Sequence, residues 1–73
     1  MAKEIVETPM PGKILSVKVK VGDMVKEDDE IAILEAMKME NPLVAPVSGK
    51  IIELNVAPNS MVETGKVIAV IEY

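Results

Sequence analysis

A shift of 37 positions lays the second half of this 73-residue chain on the first without a gap, so that Pro46 falls on Pro9. Under the same shift Gly12 meets Gly49, Lys13 meets Lys50 and Ile14 meets Ile51. Farther on, Val19 meets Val56, Met24 meets Met61, Val25 meets Val62, Ile31 meets Ile68, Ala32 meets Ala69 and Glu35 meets Glu72. Val17 with Leu54, Ile33 with Val70 and Leu34 with Ile71 are conservative pairs. One repeat is too small to bury its own apolar face, whereas two related by a pseudo-two-fold axis bury theirs against each other. Residues 1–73 are therefore expected to form a single domain. A chain of this size removes only about 60% of its unfolded surface from water, which leaves little stability to spare.

The residues inside each repeat read as strands. Leu15, Val17, Val19 and Val21 alternate with Ser16, Lys18 and Lys20, a period of two with one wet face. Ile52, Leu54 and Val56 alternate in the same way with Glu53 and Asn55. Ile31 to Leu34 and Val67 to Ile71 are short apolar runs, as expected of strands covered on both faces. There is no Phe, Trp or Cys, so a core must be built from Val, Ile, Leu and Met. β-Branched side chains dominate that set and suit pleated surfaces. Pro9, Pro11, Pro42, Pro46 and Pro58 interrupt any helical stripe. An all-β fold follows. The repeat also pairs Gly22 with Asn59 and Asp28 with Gly65, residue types that tolerate positive φ.

Several chemistries are excluded. Without His or Cys there is no base titrating near neutrality, no thiol nucleophile and no zinc site of the usual kind. Ser16, Ser48 and Ser60 lack an imidazole partner. Gly12-Lys13 lacks the upstream glycine of a phosphate-binding loop. Glu27-Asp28-Asp29-Glu30 lacks the alternating ligands and distal Glu of a calcium loop, and reads as a solvated turn. Eight lysines, no arginine and twelve carboxylates give a net charge of −4, poor equipment for nucleic acid. No stretch approaches the roughly 20 apolar residues of a membrane helix, and the N-terminus lacks a signal-peptide core. A cytoplasmic protein that is not itself an enzyme is expected.

One amine stands apart. Lys38 lies in Glu35-Ala36-Met37-Lys38-Met39-Glu40, between two strand-like stretches at the middle of the repeat. That hexapeptide resembles the attachment sequence of biotinyl domains, the biotin carboxyl carrier family. Pro9-Met10-Pro11-Gly12, Val21-Gly22-Asp23 and Ala45-Pro46-Val47-Ser48-Gly49 extend the resemblance over nearly the whole chain. Asp28 departs from it, because the family more often shows Gly there. The resemblance implies that Lys38 bears biotin through an amide bond and that Met37 and Met39 shape what partners recognise. Glu35 and Ala36 belong to the same cofactor-binding segment; Glu35 has a twin in Glu72, which favours a structural role over a ligase contact. Biotin protein ligase would attach the cofactor. The carrier would then move carboxylate between a biotin carboxylase and a carboxyltransferase or decarboxylase.

Two other readings share the scaffold. Lipoyl carriers usually show Asp-Lys-Ala where this chain has Met37-Lys38-Met39, and unmodified interaction modules such as those of efflux-pump adaptors lack the tip lysine. The ungapped repeat leaves no room for the protruding loop of bacterial acetyl-CoA carboxylase carriers, so a thumbless type is implied. The fold expected is a flattened β-barrel (barrel-sandwich hybrid) of two four-stranded antiparallel sheets. Its strands are predicted near residues 3–7, 12–20, 30–36, 39–44, 49–56 and 67–72, with very short ones near 24–25 and 61–62. Because residues 35 and 72 are equivalent, Lys38 should occupy one pole, and Met1 and Tyr73 the other.

Overall fold

A computed structural model describes residues 2–73. It contains β1 (Lys3–Glu7), β2 (Gly12–Val17), β3 (Met24–Val25), β4 (Glu30–Ala36), β5 (Met39–Val44), β6 (Gly49–Leu54), β7 (Met61–Val62) and β8 (Val67–Glu72). They form two four-stranded antiparallel sheets, ordered β1-β8-β6-β3 and β5-β4-β2-β7. The repeat converts one order into the other, with β5 as the mate of β1, β6 of β2, β7 of β3 and β8 of β4. Each half lends its two-residue strand to the sheet built around the other half, which ties the repeats together. Among the described residues no helix is long and apolar enough to cross a membrane.

The core obeys the same symmetry. The largest fully buried side chains are Ile14, Ile31, Leu34, Ile51, Ile68 and Ile71, three pairs of repeat mates. Each such side chain contributes about 1.5–3 kcal/mol when taken from water. Ala32, Ala69, Leu43, Ala45, Val6, Val25 and Val62 complete the cluster. Runs of consecutive buried residues, Ile68 to Ile71 above all, fit the expectation of strands covered on both faces.

Three features depart from the alternation in the sequence. β2 and β6 end at Val17 and Leu54, short of the expected 20 and 56. Lys18 N–H still donates to the Ile31 carbonyl (2.7 Å) and Asn55 N–H to that of Ile68 (2.9 Å), but the chain then leaves the sheet to cross to the other one. Second, register shifts between Ile14 and Ser16, and between Ile51 and Glu53, mark bulges that change the phase of each strand. Ile14 and Ile51 thereby enter the core, while Leu15 and Ile52 are only half-buried. Third, Val21 is exposed at the turn that follows β2.

All four paired turn residues have left-handed backbones, at φ 99° for Gly22, 70° for Asn59, 75° for Asp28 and 83° for Gly65. Asp28 therefore keeps the turn despite its departure from the family pattern. The turns before β4 and β8 are fastened differently. Asp29 Oδ2 accepts the Lys26 N–H (2.8 Å) in the first. In the second, the buried Thr8 hydroxyl donates to the Glu63 carbonyl and accepts the Lys66 N–H (3.0 Å).

The molecule measures 37 × 18 × 17 Å. At one end Ala2 and Tyr73 exchange two backbone hydrogen bonds of 2.9 Å, closing β1 onto β8. From there β1 runs away from the chain ends, and Gly12 and Lys13 then pair with Val62 and Met61 beside Glu35, at the opposite end. The part of the polar arrangement that concerns Met1 lies outside the described residues.

Candidate functional site

β4 and β5 form a hairpin whose loop is only Met37 and Lys38, with Ala36 opposite Met39 and Glu35 opposite Glu40. Both loop residues have positive φ, 54° and 64°. A two-residue hairpin needs such angles because its twist must match that of the strands, and Asn-Gly normally supplies them. A bulky L-residue held there costs roughly 1–2 kcal/mol. Met37 and Lys38 thus hold a turn their own preferences oppose, and the strands beneath impose it. Asn41 braces the hairpin by donating its side-chain amide to the Met39 carbonyl (3.3 Å).

The residues singled out in the sequence separate by depth. Lys38 is exposed at the turn, with Met37 88% and Met39 65% exposed on either side. Ala36 is buried beneath the hairpin, at the floor of the groove beside Lys38. Glu35 is exposed on the outer face, in a row that runs Glu40, Glu35, Lys13, Met61 across the sheet. The corresponding row at the other pole is Lys3, Glu72, Lys50, Met24.

Pro11, Lys13 and Met61 also belong to this surface, which sequence reasoning did not include. With Glu35, Met37 and Lys38 they line an open groove beside the hairpin. Met61 is 23 residues from Lys38 along the chain and reaches the tip only through the pairing of β7 with β2. The signal available was its equivalence to Met24, which places it on a short crossing strand but does not say which pole that strand serves.

This geometry fits covalent attachment. A primary amine projects from a rigid two-residue turn, with exposed side chains around it. The sequence profile of the family described as biotin-requiring enzyme matches residues 4–71. The chain belongs to that family. It is a biotinyl carrier domain. It is 58% identical over 43 residues to the methylmalonyl-CoA decarboxylase gamma subunit of Veillonella parvula, a match covering 59% of this chain and 33% of that one. The biotin carboxyl carrier protein of Streptococcus mutans is 57% identical over 44 residues, covering 60% of this chain and 34% of the relative. The crystal structure of Kluyveromyces lactis urea carboxylase superposes with a TM-score of 0.90 at 33% identity, over 99% of this domain but 6% of that protein. The domain thus spans about a third of the first two relatives and a small part of the third.

Proposed function

We propose that Lys38 is the biotin attachment residue and that this domain, residues 1–73, carries carboxylate between the active sites of a biotin-dependent carboxylase, decarboxylase or transcarboxylase. The observation that carries the reading is the exposed Lys38 amine on a two-residue, left-handed turn flanked by the exposed Met37 and Met39. Biotin protein ligase is the first partner. The Lys38 Nζ lone pair attacks the carbonyl of biotinyl-adenylate, an amide bond forms, AMP leaves, and the amine proton passes to solvent. A turn fixed by eight strands presents that amine without a search over loop conformations, which lowers the entropic cost of docking. Biotin, once bound, supplies a ureido nitrogen that takes up and releases carboxylate.

The domain's own residues do the rest. The hairpin sets the direction of the lysine stem, Met37 and Met39 offer adaptable apolar contact to two different active sites, and tethering keeps the carried group at high local concentration. Glu35 and Ala36 act through the hairpin, one as a surface charge and the other as its buried foot. The later partners are a biotin carboxylase and a carboxyltransferase or decarboxylase. The work is cytoplasmic, without nucleic acid or membrane insertion. Met37 and Met39 favour biotin over a lipoyl group at Lys38. Incubation with a biotin protein ligase, biotin and ATP, followed by peptide mass mapping, tests the assignment. Biotin is expected on Lys38 alone among the eight lysines, and label on any other lysine contradicts it.

A further inference from the structure

Methionine usually fills cores, where its flexible thioether closes gaps. Among the described residues no methionine is a buried hydrophobic residue; those are all Ile, Val, Leu or Ala. Instead Met37, Met39, Met61 and Met24 are 88%, 65%, 75% and 73% exposed, and Met10 is half-buried. Of these exposed thioethers, Met37 and Met61 line the groove beside Lys38, and Met39 follows the lysine on the other side of the turn. The fourth, Met24, is the repeat mate of Met61 and lies at the opposite pole, next to Lys50. The chain has no Cys and no Trp, so these sulfurs are its ready targets for a peroxide.

We propose that Met37, Met39 and Met61 form an oxidation site at which hydroperoxides disable the carrier tip without unfolding the domain. The step is a two-electron oxygen transfer. The thioether sulfur attacks the outer oxygen of the hydroperoxide, the O–O bond breaks, and an S=O bond forms. The proton of that oxygen leaves with the departing alkoxide as an alcohol, or as water when the oxidant is hydrogen peroxide. Sulfur is oxidised and the peroxide reduced. The product is a polar sulfoxide where an apolar, flexible contact stood, and a thiol-dependent methionine sulfoxide reductase can restore it. In a core this change disrupts packing; here the fully buried side chains contain no sulfur, and Met10, packed half-buried against them, is the one described thioether whose oxidation would reach the core. The effect of oxidising Met37, Met39 and Met61 is therefore confined to what docks at the tip. The consequence for function rests on Lys38 being the biotin-bearing residue.

The test begins with the unmodified domain, since biotin carries a thioether of its own. The domain is treated with hydrogen peroxide, freed of it, offered to a biotin protein ligase with biotin and ATP, and then to a biotin carboxylase with bicarbonate and MgATP. Peptide mapping is expected to show one added oxygen on each of Met37, Met39 and Met61, with the far-UV circular dichroism spectrum and melting temperature preserved. Biotinylation or carboxylation should slow at least fivefold and recover after treatment with the reductases and dithiothreitol. Met24→Leu should not protect, whereas a Met37→Leu, Met39→Leu, Met61→Leu triple variant should keep its own rates after peroxide. Unchanged rates with the tip fully oxidised overturn the proposal, as does unfolding on oxidation. An untreated domain that accepts no biotin overturns the reading of Lys38 and the consequence built on it, a result distinct from either.

Discussion

Among the described residues, Met37 and Lys38 are the two whose backbone angles their own chemistry disfavours, and they form the tip at which we propose biotin is attached. Local preference is broken where function demands a particular side chain. Met37→Asn, which accepts a left-handed backbone more readily, should stabilise the domain by about 0.5–1 kcal/mol. Urea denaturation with an unchanged slope would register that gain; a loss would mean that Met37 makes packing contacts outweighing its strain. Met37→Leu and Met39→Leu should cost less than about 1.5 kcal/mol, as volume-conserving swaps do. They should leave biotinylation complete but slow carboxylation of the biotinylated domain, because a branched side chain replaces an adaptable thioether. Unchanged carboxylation rates would leave the two exposed methionines without the recognition role proposed for them. The exposed hairpin tip at Lys38 was legible in the sequence, from its place between two strand-like stretches. The left-handed turn was not, since Met-Lys lacks the Asn or Gly that announces one.

Strands and turns carry the second level of the account. Gly12 and Gly49 lie where β2 and β6 pass closest to their neighbours, and a Cβ on either would overlap the carbonyl oxygen of Glu35 or Glu72. Gly12→Ala and Gly49→Ala should each cost about 2–3 kcal/mol, at the upper end of overpacking changes. Gly22 has open space around it, so Gly22→Ala meets only the backbone penalty of about 1–2 kcal/mol. Chemical denaturation should rank both close-approach variants below Gly22→Ala; the reverse order would show that the strands separate readily. Strand number and order of type were readable from the repeat and the period of two. The bulges at Ile14–Ser16 and Ile51–Glu53 were not, because an inserted residue changes which face Leu15 and Ile52 take without altering composition.

Across the whole molecule, the pseudo-two-fold axis supplies an internal control for every feature of the tip. Ile14→Ala and Ile51→Ala remove equivalent, fully buried side chains and should each cost about 2–5 kcal/mol. Against a typical total of about 5–15 kcal/mol, such a loss leaves either variant marginal at room temperature. Melting temperatures that differ widely between the two would contradict the symmetric packing. The axis and the poles were foreseeable from the 37-residue shift, but the company Lys38 keeps was not. Met61 reaches the tip only because β7 joins the sheet that contains β2 and β4, whereas Pro11 and Lys13 arrive through the pairing of β2 with β4. At this scale Ala2 and Tyr73 mark the pole opposite Lys38, where β1 and β8 meet without a connecting turn, whereas a continuous turn closes the Lys38 pole. The most direct measurement is streptavidin capture of the Lys38→Arg variant after exposure to a biotin protein ligase, biotin and ATP, alongside its melting temperature. Arginine keeps the positive charge but cannot form the amide, so the variant should melt as the parent does and escape capture entirely. Capture of a folded Lys38→Arg domain would contradict the assignment of Lys38 as the residue that carries biotin.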